Sequence, residues 1–134
     1  MTKSYYKVAE VLRPRTGEEI YDALFDIRQS DCVKVINYQD QTVPKIDYAI
    51  WLYFETCPFE LKRILSRYEF TSEELATKEW NGKIPSGETL TWFNPRILGD
   101  TIMVYEHVIT QNKRIQTIWA SLDSTKAFCR DVLD

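Results

Sequence analysis

From Ile46 to Phe54 an apolar side chain falls on every second residue: Ile46, Tyr48, Ile50, Leu52 and Phe54. That spacing places them together on one face of an extended strand. The reverse face reads Asp47, Ala49, Trp51, Tyr53 and Glu55, two large aromatics framed by acids. Beyond it, Pro58 opens a helix in which Leu61, Ile64, Leu65 and Tyr68 share a stripe, because proline suits a first turn whose amide has no helical partner. A strand this apolar belongs centrally in a sheet, with the helix folded back over its even-numbered face.

Other elements follow from local signals. Thr16-Gly17-Glu18-Glu19 is a capping box that starts a helix carrying Ile20, Leu24 and Ile27 and ending near Gln29, since a Thr hydroxyl and a Glu carboxylate at this spacing satisfy orphan amides. Val33 to Tyr38 is β-branched and strand-like, and with residues 46–55 it makes an antiparallel hairpin across a polar loop at 39–43. Thr71-Ser72-Glu73-Glu74 reads as a second capping box and a short helix ending near Trp80, closed by the Asn81-Gly82 turn. Segments 102–109, 114–122 and 126–133 form a three-strand meander, and its middle strand is apolar on both faces. The expected fold is α+β: an antiparallel sheet of about five strands, a hairpin plus a meander, packed against two or three helices. Residues 1–134 form a single domain in this reading, with 1–15 a short helix or mobile arm.

Composition narrows the function. With 17 basic and 20 acidic residues the net charge is −3, and the basic residues are scattered, so no stripe matches a phosphate backbone and nucleic acid is excluded as a partner. Three cysteines, Cys32, Cys57 and Cys129, are too few and too widely spaced for a disulfide framework or a metal motif; a reducing compartment is the simplest account, with one bridge and a free thiol as the alternative. The amino terminus lacks the apolar core of a signal peptide, and no stretch approaches the roughly 18 apolar residues of a membrane span. The expectation is a cytoplasmic protein without a membrane span, unless a leader or anchor has been removed.

A single histidine, His107, rules out sites built on several imidazoles. No metal or cofactor is expected. Among the acids, Glu55, Glu88, Glu106 and Asp131 offer no spacing that selects a catalytic pair, and neighbours such as Arg114 and Arg130 suit them for salt bridges. Residues 83–100 have no clear periodicity and carry Trp92-Phe93 directly before Asn94-Pro95-Arg96; a loop of this length is functional or pinned by its own large side chains. The favoured reading is a non-catalytic module that binds another protein through Trp51, Tyr53, Glu55, Trp92, Phe93 and Arg96, as a small acidic inhibitor or immunity-type protein would. Self-association is left open. The alternative is a small enzyme with a pocket near Trp92 that uses His107 or Cys129, a pair drawn about 10 Å apart if the middle strand of the meander separates them.

Overall fold

The computed structural model describes residues 15–43, 47–79, 82–85, 87, 90–109 and 113–133. The amino-terminal arm, Ile46, Trp80-Asn81, Glu88 and the Gln111-Asn112 turn lie outside that set. Helix α1 spans Gly17–Phe25 and α2 spans Pro58–Leu65. The strands are β1 (Lys34–Val43), β2 (Asp47–Glu55), β3 (Thr71–Ala76), β4 (Thr101–Ile109), β5 (Arg114–Ser121) and β6 (Lys126–Leu133). They make one sheet in the order β1-β2-β6-β5-β4-β3, antiparallel at every pair.

The expected five strands with two or three helices are therefore corrected to six strands and two helices among the described residues. The difference is the segment 71–76. Its Thr-Ser-Glu-Glu letters meet the helix-start pattern, but its backbone pairs with β4, from Thr71 opposite Glu106 to Ala76 opposite Thr101. Only Leu75 in this strand is buried. Such a short, acidic strand is well suited to end a sheet, where charge discourages further pairing. The hairpin and the meander form as expected, with β1 extending through the 39–43 stretch read as a loop. Strand β2 is interior but one place in from the edge, and β6 and β5 occupy the middle.

Alternation divides the core in two. Ile50, Leu52 and Phe54 of β2, Ile118 and Ala120 of β5, and Ala127 and Cys129 of β6 face the helices, packing with Ile20, Tyr21, Leu24 and Phe25 of α1 and Leu61 and Ile64 of α2. Tyr21, Phe25 and Phe54 meet there at tilted and edge-on angles, with centroids 4.9 to 5.8 Å apart, a geometry favoured by the ring quadrupoles. On the other face Ile102 and Val104 of β4, Trp119 of β5 and Phe128 of β6 are covered by Ile84 and Phe93 from the irregular 82–98 segment.

The Thr16 capping box forms, Thr16 Oγ1 accepting from the Glu19 amide at 3.2 Å and Glu19 accepting from the Thr16 amide at 3.1 Å. Gly17 lets this first turn press against β1, because a β-carbon there would lie 2.7 Å from Val35 Cγ1 and 2.8 Å from Tyr38. The helix ends at Phe25, short of Gln29, where Asp26 turns to φ 65°. Ile27, expected on its buried stripe, is 72 % exposed. No basic residue sits in the last turn of α1; Arg63 and Arg67, from α2 and the residues just after it, donate instead to the Phe25 carbonyl at 2.7 Å and the Leu24 carbonyl at 2.8 Å. These two cations satisfy orphan acceptors and complement the negative end of the helix dipole.

Beneath them Glu60 is fully buried. Its carboxylate accepts from Arg63 at 2.5 Å, from the Tyr21 hydroxyl at 3.3 Å and from the Gln29 amide at 3.3 Å. Burial pushes the Glu60 pKa up, but the Arg63 hydrogen bond and charge outweigh it and hold the carboxyl below the usual glutamate range. Burial, with Glu60 alongside, pushes Tyr21 well up, so its hydroxyl remains a donor.

Of the two readings of the cysteines, the structure takes one bridge and a free thiol over three thiols. Cys32, before β1, and Cys57, before α2, are bridged with their Cα atoms 5.9 Å apart, while Cys129 is free and buried. Hairpin formation places the two turns side by side, a proximity that sequence spacing alone does not reveal.

Two expectations for stability follow. Replacing Cys32 and Cys57 by Ser removes a cross-link spanning a sequence separation of 25 and lowers the unfolding free energy by about 3 kcal/mol, measurable by urea titration; an unchanged midpoint would mean the bridge does not form. Because the Glu60 pKa is depressed by folding, its contribution is complete above the ordinary glutamate pKa and is lost as pH falls through the lower folded value. Glu60→Ala leaves Arg63 without its buried partner and costs about 3 kcal/mol at neutral pH. The difference between variant and wild type narrows in acid, as paired pH–urea titrations would record.

Candidate functional site

Trp51, Tyr53 and Glu55 lie side by side on the face of β2 away from the helices, all partly exposed. Tyr53 stacks on Phe128 of β6 with centroids 4.1 Å apart and planes 2° from parallel. Trp51 and Tyr53 border the cluster that Leu90, Trp92 and Leu98 flank from the irregular segment. Five of the six residues singled out in the sequence, Trp51, Tyr53, Glu55, Trp92 and Arg96, thus retain accessible surface, and Phe93 is buried.

Phe93 and Arg96 hold this layer in place. Phe93 is 3 % exposed and meets Trp119 and Phe128 edge-on at 5.6 and 5.2 Å. Asn94 caps the 3-10 turn Pro95–Leu98 by accepting from the Arg96 amide at 3.3 Å. The Arg96 guanidinium donates to the carbonyls of Thr77, Glu79 and Ile84, and Trp119 Nε1 donates to the Lys83 carbonyl at 2.9 Å. A chain without regular structure is thereby fixed over the sheet by side chains that satisfy its own carbonyls.

The cover stops partway along the strands. The next row across the sheet reads Trp51, Arg130, Thr117, Glu106 and Thr71 in register. A groove of about 450 Å³ opens over its middle, lined by Arg130, Thr117, Glu106, Glu73 and Lys83 with Trp119 beneath. Lys83 and Glu73 pair at 2.5 Å. The Arg130 guanidinium carbon lies 5.2 Å from the Trp119 ring centroid, and burial lowers its pKa. In sequence Arg130 and Glu106 read as ordinary strand-borne ion-pairing groups; period-two alternation in the meander places them on one face but does not show that they make no ion-pair contact.

The residues of the enzyme reading are not brought together. His107 and Cys129 point to the helix-covered face, whereas Trp92 packs on the opposite one. Strand β5 runs between β4 and β6, with Gln116 opposite both His107 and Asp131, so His107 and Cys129 are held about 10 Å or more apart, beyond proton-transfer reach. His107 stacks on Tyr68 at 4.6 Å, and its Nδ1 lies 3.0 Å from the Glu69 carbonyl. Burial, with Asp131 nearby, raises the Cys129 thiol far above its ordinary value, which leaves it a small apolar core residue. Asp131 is buried but fully engaged by Arg114 at 2.7 and 2.8 Å and by Gln116 at 2.8 Å.

No group of three or more His, Cys, Asp or Glu able to hold a metal occurs among the described residues. No helix among them is long and apolar enough to cross a membrane. Comparison with known protein families, curated proteins and solved structures finds no match to this chain.

If Arg96 is the pin of the covering segment, Arg96→Ala costs about 2 kcal/mol, the scale of charge-assisted hydrogen bonds. Hydrogen exchange should rise at the described amides of residues 82–98 while those of α1 and β2 keep their protection. Uniform loss of protection across the sheet would contradict a local role.

Proposed function

We propose that this chain is a non-catalytic protein-binding module that docks a partner through the open border formed by Trp51, Tyr53, Glu55 and Trp92. The supporting observation is that large aromatics, two of them adjacent on β2, keep accessible surface on a sheet face that a pinned segment covers only in part. Rigid aromatic anchors supply affinity at small entropic cost. Phe93 and Arg96 contribute by fixing the border rather than by touching the partner. Glu55 and the net charge of −3 favour a basic partner surface, since charge complementarity speeds encounter and selects the partner. An inhibitor or immunity-type role, in which a small acidic protein covers a basic toxin or enzyme, is the form of this reading that the composition suits best. The Cys32–Cys57 bridge moves the proposed setting from the cytoplasm to an oxidising compartment.

The test is direct binding. The wild-type chain should capture a basic protein from its source organism, and the purified pair should bind in isothermal titration. Trp51→Ala combined with Glu55→Lys should weaken that complex about thirtyfold or more, the scale of one lost anchor. A partner that binds the double variant as tightly as wild type would remove this surface from the reading.

A further inference from the structure

Arg130 stands apart from the other arginines. Arg15 pairs with Asp40, Arg28 with Asp22, Arg63 with Glu60 and Arg114 with Asp131, while Arg67 and Arg96 donate to backbone carbonyls. Among the described residues Arg130 alone of these has no carboxylate or carbonyl within hydrogen-bond reach; it lies over the face of Trp119 and feels the charge of Glu106 at longer range. A guanidinium carries N–H donors around its edge, and those of Arg130 open onto the groove and not into the core. Stacking on the indole fixes the guanidinium plane while leaving its edge free for a planar acceptor.

The groove beside it limits what that acceptor can belong to. The lining Lys83 and Glu73 pair with one another, so the charges of the lining without an ion-pair contact are Arg130 and Glu106, on either side of Thr117 and close enough to feel one another's charge. Two strand spacings, about 10 Å, separate their backbones, and they form no ion pair. With that pair set aside, a phosphate would meet Arg130 but also Glu106, and a simple cation would meet Glu106 but also Arg130. A ligand carrying both charges satisfies both walls. At about 450 Å³ the groove is large enough to admit an amino acid or dipeptide with water beside it.

We propose that this groove is a binding site for a small zwitterion, an amino acid or dipeptide, whose carboxylate is held by Arg130 and whose ammonium group faces Glu106. The inference does not rest on the protein-docking reading, because it concerns a different class of ligand, although Trp51 of that border stands opposite Arg130 in the same row.

The isotope-labelled full chain, titrated with glycylglycine and the common free amino acids, tests it by nuclear magnetic resonance. At least one of these zwitterions should shift the Arg130 side-chain signal and the Thr117 and Glu106 amides saturably. Acetate and ethylamine, each carrying one of the two charges, should bind about tenfold more weakly than that zwitterion. Arg130→Gln should lose about tenfold in affinity, and Arg130→Lys, which keeps the charge but not the planar fork, should lose less. Glu106→Gln, at an exposed position, supplies a variant whose folding is not at stake and should also weaken binding about tenfold. Absence of saturable shifts with every zwitterion, preference for acetate or inorganic phosphate, or unchanged affinity in Glu106→Gln would each overturn the proposal.

Discussion

Two-sided burial of β2, β6 and β5 is the constraint on which the rest of this molecule depends. Each strand sends alternate side chains into different clusters, so Leu52, Ile118 and Cys129 meet the helices while Tyr53, Trp119 and Phe128 face the irregular layer. A one-residue slip in any pairing would exchange these sets and put aromatic rings into the space fitted to Leu and Ala. Register, helix docking and loop docking are therefore parts of one packing problem.

Arginine does much of the joining that regular structure leaves undone. The short helix α1 has its last carbonyls met by Arg63 and Arg67, and the irregular layer has three of its surrounding carbonyls met by Arg96. Each is a long side chain reaching from one segment to the backbone of another, with an aliphatic stem that packs as it passes. This gives the two faces different characters: a helical layer closed by buried Glu60 and its partly exposed partner Arg63, and a looser layer whose border leaves a groove.

What the sequence discloses tracks how local its causes are. The alternation from Ile50 to Phe54 and the Thr16 capping box depend on neighbours along the chain, and both are present in the structure. The apolar character of both sides of β5 likewise anticipates two clusters. Residues 71–76 were misread because the letters that cap a helix also suit a polar edge strand, and the deciding partner, the open side of β4, lies about 30 residues away in sequence. Helix α1 stops early because its carbonyl partners come from Arg63 and Arg67, and Cys32 meets Cys57 only after the hairpin closes. The groove was the least legible feature, since Arg130 is recognisable as lacking an ion-pair contact only when the other described arginines have found their partners.

The third cysteine has a consequence for what happens when the protein comes apart. In the native fold Cys129 is sealed inside the helix-facing core, with its thiol held protonated by burial, so it is sheltered from the Cys32–Cys57 bridge. Once the sheet opens, that sulfur regains an ordinary acidity and can attack the bridge, exchanging one cross-link for another. Mispaired chains then accumulate, and heating above the transition becomes progressively irreversible unless the thiol is blocked.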